Sequence, residues 1–251
     1  MRRSTWTRSR GSCLPRRIRF LGPGDEFPPT GEALDSPNGL LAAGGDLTPN
    51  RLLAAYRRGI FPWYEEPQPI LWWTPNPRSV LFPDELHVAR SLRKELRRDT
   101  FRLGVDTAFP RVMAACAGAR RGSKGTWIGP DMLAAYTALH RQGYAHSIEV
   151  LDTAGELVGG LYGVALGGVF FGESMFSHRV NASKVALVGL VDIMRRGGFG
   201  LIDCQVGNPH LASLGARDLD RLDFEALLAQ NTAIEIERGI WSLPRTSGAL
   251  L

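Results

Sequence analysis

The chain has 251 residues, 44% of them apolar, enough for one large domain or two small ones with a proper core. No run approaches the ~18 apolar residues that a membrane helix needs, which argues against a spanning protein. The formal charge of +5 belongs to a tail: residues 1–19 hold seven Arg and no acidic residue, and the rest carries 23 Lys and Arg against 25 Asp and Glu. The basic balance is therefore no evidence that the body binds nucleic acid.

Residues 1–19 lack the apolar stretch of a secretory signal and read as a disordered basic tail. Folded sequence is expected from Phe20, in a small N-terminal domain to residue 82. Thr48 as N-cap and Pro49 at the first position predict a helix through Leu52, Leu53 and Tyr56 to Gly59. The segment Phe61–Pro83, rich in Trp and Pro, cannot be regular helix. It is either packing between lobes or a stacking surface for a ligand. A larger domain is expected over 83–243, followed by a featureless tail over 244–251.

Asp84–Arg98 predicts a helix with Leu92 and Leu96 on one line and Arg90, Lys94, Arg97 and Arg98 on another. From His87 to Lys124 there are ten Lys or Arg against three Asp or Glu. That face is either merely solvated or an electrostatic footprint for phosphates. A helix over Pro130–Gln142 and a strand over Ala145–Leu151 come next. Glycine-rich apolar runs, Leu157–Val164 and Gly168–Phe171, read as paired buried strands about a turn at Ala165–Gly167. A helix from Ala182 to Arg196, stopped by Gly197 and Gly198, leads to a last strand, Gly200–Gln205. Leu211–Leu214 and Phe224–Gln230 are short helices.

Strand alternation places Asp203 and Gln205 on one face and Cys204 on the other. If that strand lies beside the one carrying Glu173, three polar groups meet at the mouth of an apolar sheet, a usual way to build a small-group pocket. Glu173 alone reads equally as a helix cap or a partner of Arg179 or Lys184, and Asp203 with Gln205 as a pinned strand end. Cys204, turned away, is expected to be a buried inert thiol. Three scattered cysteines argue for a reducing cytoplasm, and the five histidines show no ligand spacing, so no metal is expected.

The order α-β-β-β-α-β resembles the GNAT acyltransferase core, in a mixed α/β chain with a mostly antiparallel sheet flanked by helices. The loop with which such enzymes hold the pyrophosphate of coenzyme A is absent, since Glu173–Ala182 stands in its place. The sharper reading is a GNAT-like domain that uses no coenzyme A.

Nine segments, in order, resemble the leucyl/phenylalanyl-tRNA–protein transferase family: Gly39–Leu47, Tyr56–Trp63, Ile70–Pro75, Gly125–Ile128, Ala145–Val150, Leu157–Val164, Phe171–Ser177, Ala182–Lys184 and Leu201–Gln205. Leu151 stands where the family often has Trp, and Thr74 where it often has Ser. The resemblance implies a cytoplasmic enzyme; no cofactor is expected, and a monomer is expected although the sequence leaves the oligomeric state open. The enzyme would move Leu or Phe, and less well Met, from aminoacyl-tRNA to proteins beginning with Arg or Lys, marking them for degradation. It implies catalytic roles for Asp203, Gln205 and Glu173, and a side-chain pocket of Leu161, Phe170, Met175, Leu187 and Ile202. Trp72, Trp73 and Trp127 would hold the 3′ adenosine, and Arg90, Lys94, Arg97 and Arg98 would meet tRNA phosphates.

Overall fold

The computed structural model describes residues 18–118 and 128–251. The N-terminal lobe holds β1 (Arg19–Leu21), β2 (Leu40–Gly44), α1 (Pro49–Tyr56), β3 (Phe61–Pro62) and β4 (Leu71–Trp73), its sheet ordered β1-β2-β4-β3. Among the described residues the first strand begins at Arg19, which pairs with Ala42. Thr48 caps α1 by accepting the Arg51 N–H, as its sequence predicts.

The chain then runs through β5 (Arg78–Leu81), α2 (Arg90–Arg98), β6 (Arg102–Val105), α3 (Phe109–Ala117), α4 (Pro130–Arg141), β7 (Ala145–Leu151), β8 (Leu157–Leu166) and β9 (Val169–Ser177). After these come α5 (Ala182–Gly197), β10 (Leu201–Gln205), α6 (Pro209–Ser213), β11 (Arg217–Leu219) and α7 (Arg221–Thr232). Among the described residues, seven strands form one sheet, β11-β5-β10-β9-β8-β7-β6. Only β9 and β10 run parallel, joined across α5; every other neighbour is antiparallel. The expected α-β-β-β-α-β order is α4-β7-β8-β9-α5-β10. No helix of the described residues is long and apolar enough to cross a membrane.

Apolar side chains alternate between the two faces of this sheet. Tyr162, Phe171 and Leu201 join the core shared with α1, α3, α4 and the small lobe. Leu161, Phe170 and Ile202 join the core under α2 and α5. The boundary expected at residue 82 falls earlier. β5 belongs to the large sheet, where Val80 and Leu81 are fully buried, so the lobes part between β4 and β5. The hairpin turn also shifts: Leu166 pairs with Val169, leaving Gly167–Gly168 as a two-residue loop. The region expected to be one helix from Asp84 is a 3₁₀ turn at Pro83–Glu85 and then α2.

The segment after residue 243 is not featureless. Leu103 donates its N–H to Arg245 O, and Ser247 donates to Phe101 O, both at 3.0 Å, with an antiparallel bridge between Arg102 and Thr246. Ser247 is fully buried. This segment lies along the outer edge of β6, which would otherwise present unpaired backbone groups. Just before it, Trp241 stacks on His146 at 3.6 Å between ring centres.

Candidate active site

Two β-bulges build the site. On β9, Gly172 pairs with Gly163 and Ser174 with Tyr162, so Glu173 is the extra residue. On β10, Asp203 pairs with Val80 and Gln205 with Ser79, so Cys204 is the extra one. The parallel pairing of β9 and β10 ends between them, at Asp203 and Phe171. Bulges re-aim side chains and loosen pairing, and two facing ones open the sheet at its mouth. Gly163 lets the strands close up beside the first: a Cβ there would lie 2.1 Å from Phe171 O.

The opening is a cavity of about 500 Å³. Leu161, Phe170, Met175, Leu187 and Ile202, the five residues expected to wall a side-chain pocket, all line it. Phe61, Pro62 and Trp63 close it from the small lobe, and Glu173, Cys204, Gln205, Asn208 and His210 give it polar groups. Its walls are apolar, with a few convergent polar groups at the rim, as small-ligand sites are.

Glu173 neither caps a helix nor pairs with Arg179 or Lys184. Its Oε1 accepts from Tyr56 OH at 2.7 Å and Gln205 Nε2 at 2.9 Å, and its Oε2 from Tyr136 OH at 2.9 Å. The two phenols also hydrogen-bond each other. Burial raises the Glu173 carboxyl, partly offset by the phenol and amide bonds, and the nearby Asp203 charge raises it further, to about 7. Counting protons gives the same direction. Two phenol protons cannot fill three O···O contacts, whereas a proton on Glu173 completes the ring. Tyr56 and Tyr136 are pushed well up, first by burial and then by the Glu173 charge, so they act as donors.

Asp203 does not face the cavity. It is fully buried, and Arg78 Nε and Nη2 donate to its two oxygens at 2.8 and 2.6 Å. The Arg78 guanidinium lies between the rings of Phe61 and Phe224, 4.8 and 4.7 Å from their centres. Asp203 Oδ1 also accepts the Gln205 backbone N–H at 2.9 Å, and Gln205 adopts φ +62°. The left-handed turn carries the Gln205 side chain onto Glu173. Alternation therefore fails here: Gln205 and Cys204 line the cavity and Asp203 turns the other way. Burial first, and then the Asp203 charge, push the Cys204 thiol up to about 12, away from the nucleophilic thiolate.

The tryptophans are distributed differently from the expectation. Trp72 is fully buried, donates Nε1 to Gly44 O and packs edge-on against Phe27, so it is core and not a ligand platform. Trp73 is half-buried and donates Nε1 to Trp63 O at 2.6 Å. Trp63, 47% exposed and 5.6 Å from the Trp73 ring, is the indole at the cavity. Trp127 lies outside the described residues. Arg90, Lys94, Arg97 and Arg98 are all exposed on α2, away from the cavity, with Arg98 paired to Glu95 at 3.3 Å.

Sequence reasoning missed Tyr56, Tyr136 and Arg78. The tyrosines sit at apolar helix positions and read as core, although a buried phenol needs a partner and so marks a polar neighbour. Arg78 sits in a strand whose other residues, Ser79, Val80 and Leu81, are all buried; an Arg there requires a counter-charge.

A GNAT-like order of elements, an apolar cavity opened between two parallel strands, and a carboxylate–amide pair at its rim define an acyl-group transferase. The comparisons narrow this. Residues 80–229 match the family described as "Leucyl/phenylalanyl-tRNA protein transferase", and residues 45–76 match its N-terminal domain. The chain is 56% identical over 215 residues to the "Leucyl/phenylalanyl-tRNA--protein transferase" of Nitrosomonas eutropha, covering 86% of this chain and 92% of that one. It is 57% identical over 215 residues to the protein of that name from Chromobacterium violaceum, covering 85% and 91%. The chain belongs to the leucyl/phenylalanyl-tRNA–protein transferase family and is an aminoacyltransferase.

Proposed function

We propose that the protein moves Leu or Phe, and less well Met, from aminoacyl-tRNA to the α-amino group of proteins that begin with Arg or Lys. On this reading the modified proteins are marked for degradation, and the work is done in the cytoplasm. The observation that carries the reading is the apolar cavity of about 500 Å³ with Glu173 and Gln205 at its rim. It fits an unbranched-Cβ apolar side chain whose ester carbon stays at the polar mouth.

The ester is already activated, so the protein must supply position and a path for a proton. Correct positioning alone is worth up to ~7–11 kcal/mol of barrier. Gln205 donates through Nε2 to Glu173, which leaves its carbonyl oxygen as the acceptor for the incoming amine. An amide is hardly basic, so Gln205 orients and does not deprotonate. Glu173, near 7, is matched to an α-amine of pKa about 7.7–8.0. The amine nitrogen bonds to the ester carbon, the bond to the ribose oxygen breaks, and the amine's proton passes through Glu173 to that departing oxygen. Asp203 acts from behind by fixing the Gln205 backbone. Trp63, backed by Trp73, offers the aromatic face for the 3′ adenosine, in place of Trp72. The exposed basic face of α2 supports a role in meeting tRNA phosphates.

Incubation with charged leucyl-tRNA and an Arg-starting peptide tests the reading. Transfer of labelled Leu to the peptide is expected. Binding of the tRNA without transfer would mean an RNA-binding module, and acetyl transfer from acetyl-coenzyme A an ordinary N-acetyltransferase.

A further inference from the structure

A second cavity, about 390 Å³, opens beside the first. Val206 and Asn208 line both; Ser79, Gly207 and Asp218 wall only the second. The transfer chemistry above makes no use of it.

Sheet register relates the two. Ser79 on β5 pairs with Gln205 on one side and with Asp218 on the other. Gln205 and Asp218 thus lie in one row across the sheet, two strand spacings or roughly 9.6 Å apart. A Cβ built on Gly207 would lie 2.9 Å from Asp218 Oδ1 and 3.3 Å from Ser79 Oγ. The carboxylate therefore rests against bare backbone two residues beyond Gln205. Two cations lie close by, and Arg217 also lines this cavity, but both have partners outside it. Arg217 lies over the Phe82 ring at 4.5 Å and bonds Glu85 at 3.3 Å, and Arg221 donates to Thr74 O at 2.8 Å. Val206, on the ridge between the cavities, is 53% exposed. Such a residue suits the aliphatic stem of Lys or Arg, which covers apolar surface while its charged end reaches outward.

We propose that the second cavity receives the basic first side chain of the acceptor protein, with Asp218 as its counter-charge. This rests on the acceptor class proposed above. With the acceptor amine at Gln205 and Glu173, the first side chain must cross Val206 and the width of β5 to meet Asp218. Lys and Arg have that reach and shorter side chains do not. A carboxylate accepts either a compact ammonium or a guanidinium fork, so both residues are taken.

The test is kcat/KM at saturating leucyl-tRNA for peptides that differ only in beginning with Arg, Lys or norleucine. The proteins are wild type, Asp218→Asn and Asp218→Lys. The preference for Arg over norleucine is expected to fall about three- to thirtyfold in Asp218→Asn, through KM, because the site is open to solvent. Asp218→Lys should lower the Arg and Lys peptides further, and the norleucine peptide should be indifferent to both changes. An unchanged preference, or an equal loss for all three peptides, overturns the subsite. So does weakened leucyl-tRNA binding with peptide preference intact, which would give this surface to RNA. A wild type that takes norleucine as readily as Arg refutes the acceptor class itself, and the subsite falls with it.

Discussion

Arg78 and Asp203 form a two-pronged ion pair in which neither side chain meets solvent. Through the Asp203 carboxylate, the pair also fixes the backbone of Gln205. Asp203 therefore serves the site by holding its shape. Removing one partner leaves a buried charge uncompensated, which typically costs about 3–5 kcal/mol. Asp203→Asn and Arg78→Met should each lower the urea midpoint markedly and slow transfer. Stability in Arg78→Met/Asp203→Leu should recover more than transfer does, because the Gln205 N–H still lacks its acceptor. Full activity in a stable Asp203→Asn protein would show that the strand end holds without the pair.

Glu173 predicts two pH effects with the same cause. Its folded carboxyl titrates near 7, above the ordinary 4.5, so between those values the folded state binds more protons than the unfolded. Its contribution to stability is full below pH 4.5, declines as pH rises, and is lost above about 7. Glu173→Gln should flatten that decline in a series of urea melts. Transfer, which needs the carboxylate, should rise with pH up to about 7, and Glu173→Gln should remove this limb. Tyr136→Phe removes a bond that lowers the carboxyl, so the limb should move to higher pH. An unmoved limb in both variants would clear Glu173 of the proton.

The cavity walls predict which amino acid is moved. Val and Ile carry a second heavy atom on Cβ, near the fixed ester, where χ1 is stiff. One methylene in an apolar pocket discriminates by ~1–3 kcal/mol, so Leu should exceed Ile by roughly tenfold to a few hundredfold in kcat/KM. Met175→Ala should narrow the gap, since Met175 is half-buried and lines the cavity. Equal use of Ile and Leu by the wild type would contradict the pocket.

Cys204 lines the cavity with a thiol pushed up to about 12. Cys204→Ser should keep most transfer activity, and iodoacetamide at neutral pH should label this position slowly. Rapid labelling with loss of transfer would mark Cys204 as a nucleophile.

On α2, charge reversal at Arg90, Lys94, Arg97 or Arg98 should flatten the log–log salt dependence of tRNA binding by roughly 0.7–0.9 for each phosphate that is no longer neutralised. A slope that stays the same in all four would mean a solvated face.

Much of the fold is legible in the residues, and what is not has physical reasons. The periodicity of Ala182–Arg196 and the first glycine-bounded strand give α5 and β8 to within a few residues, because each is set by its own apolar pattern, whereas β9 runs on to Ser177, six residues past the expected Phe171, because its bulge and half-buried end break that pattern. The five wall residues, placed by resemblance, meet in one cavity. Alternation misplaces Asp203 and Cys204, because a bulge is decided by the partner strand and the local pattern carries no trace of it. Trp72 and Trp73 are adjacent in one motif, yet only the three-dimensional packing separates the buried indole from the half-buried one. Residues 245–247 look featureless because their partners are backbone amides and carbonyls of β6 and Phe101, which no side-chain pattern reveals.

That pairing at the edge of β6 bears on how the protein is made. β6 leaves the ribosome more than a hundred residues ahead of the segment that covers its edge. While residues 245–248 are still inside the exit tunnel, the half-made protein carries an open strand edge. Such an edge can pair with another nascent chain on the same message. The large sheet is thus sealed only once residues 245–248 have emerged, and until then the β6 edge is where aggregation should begin.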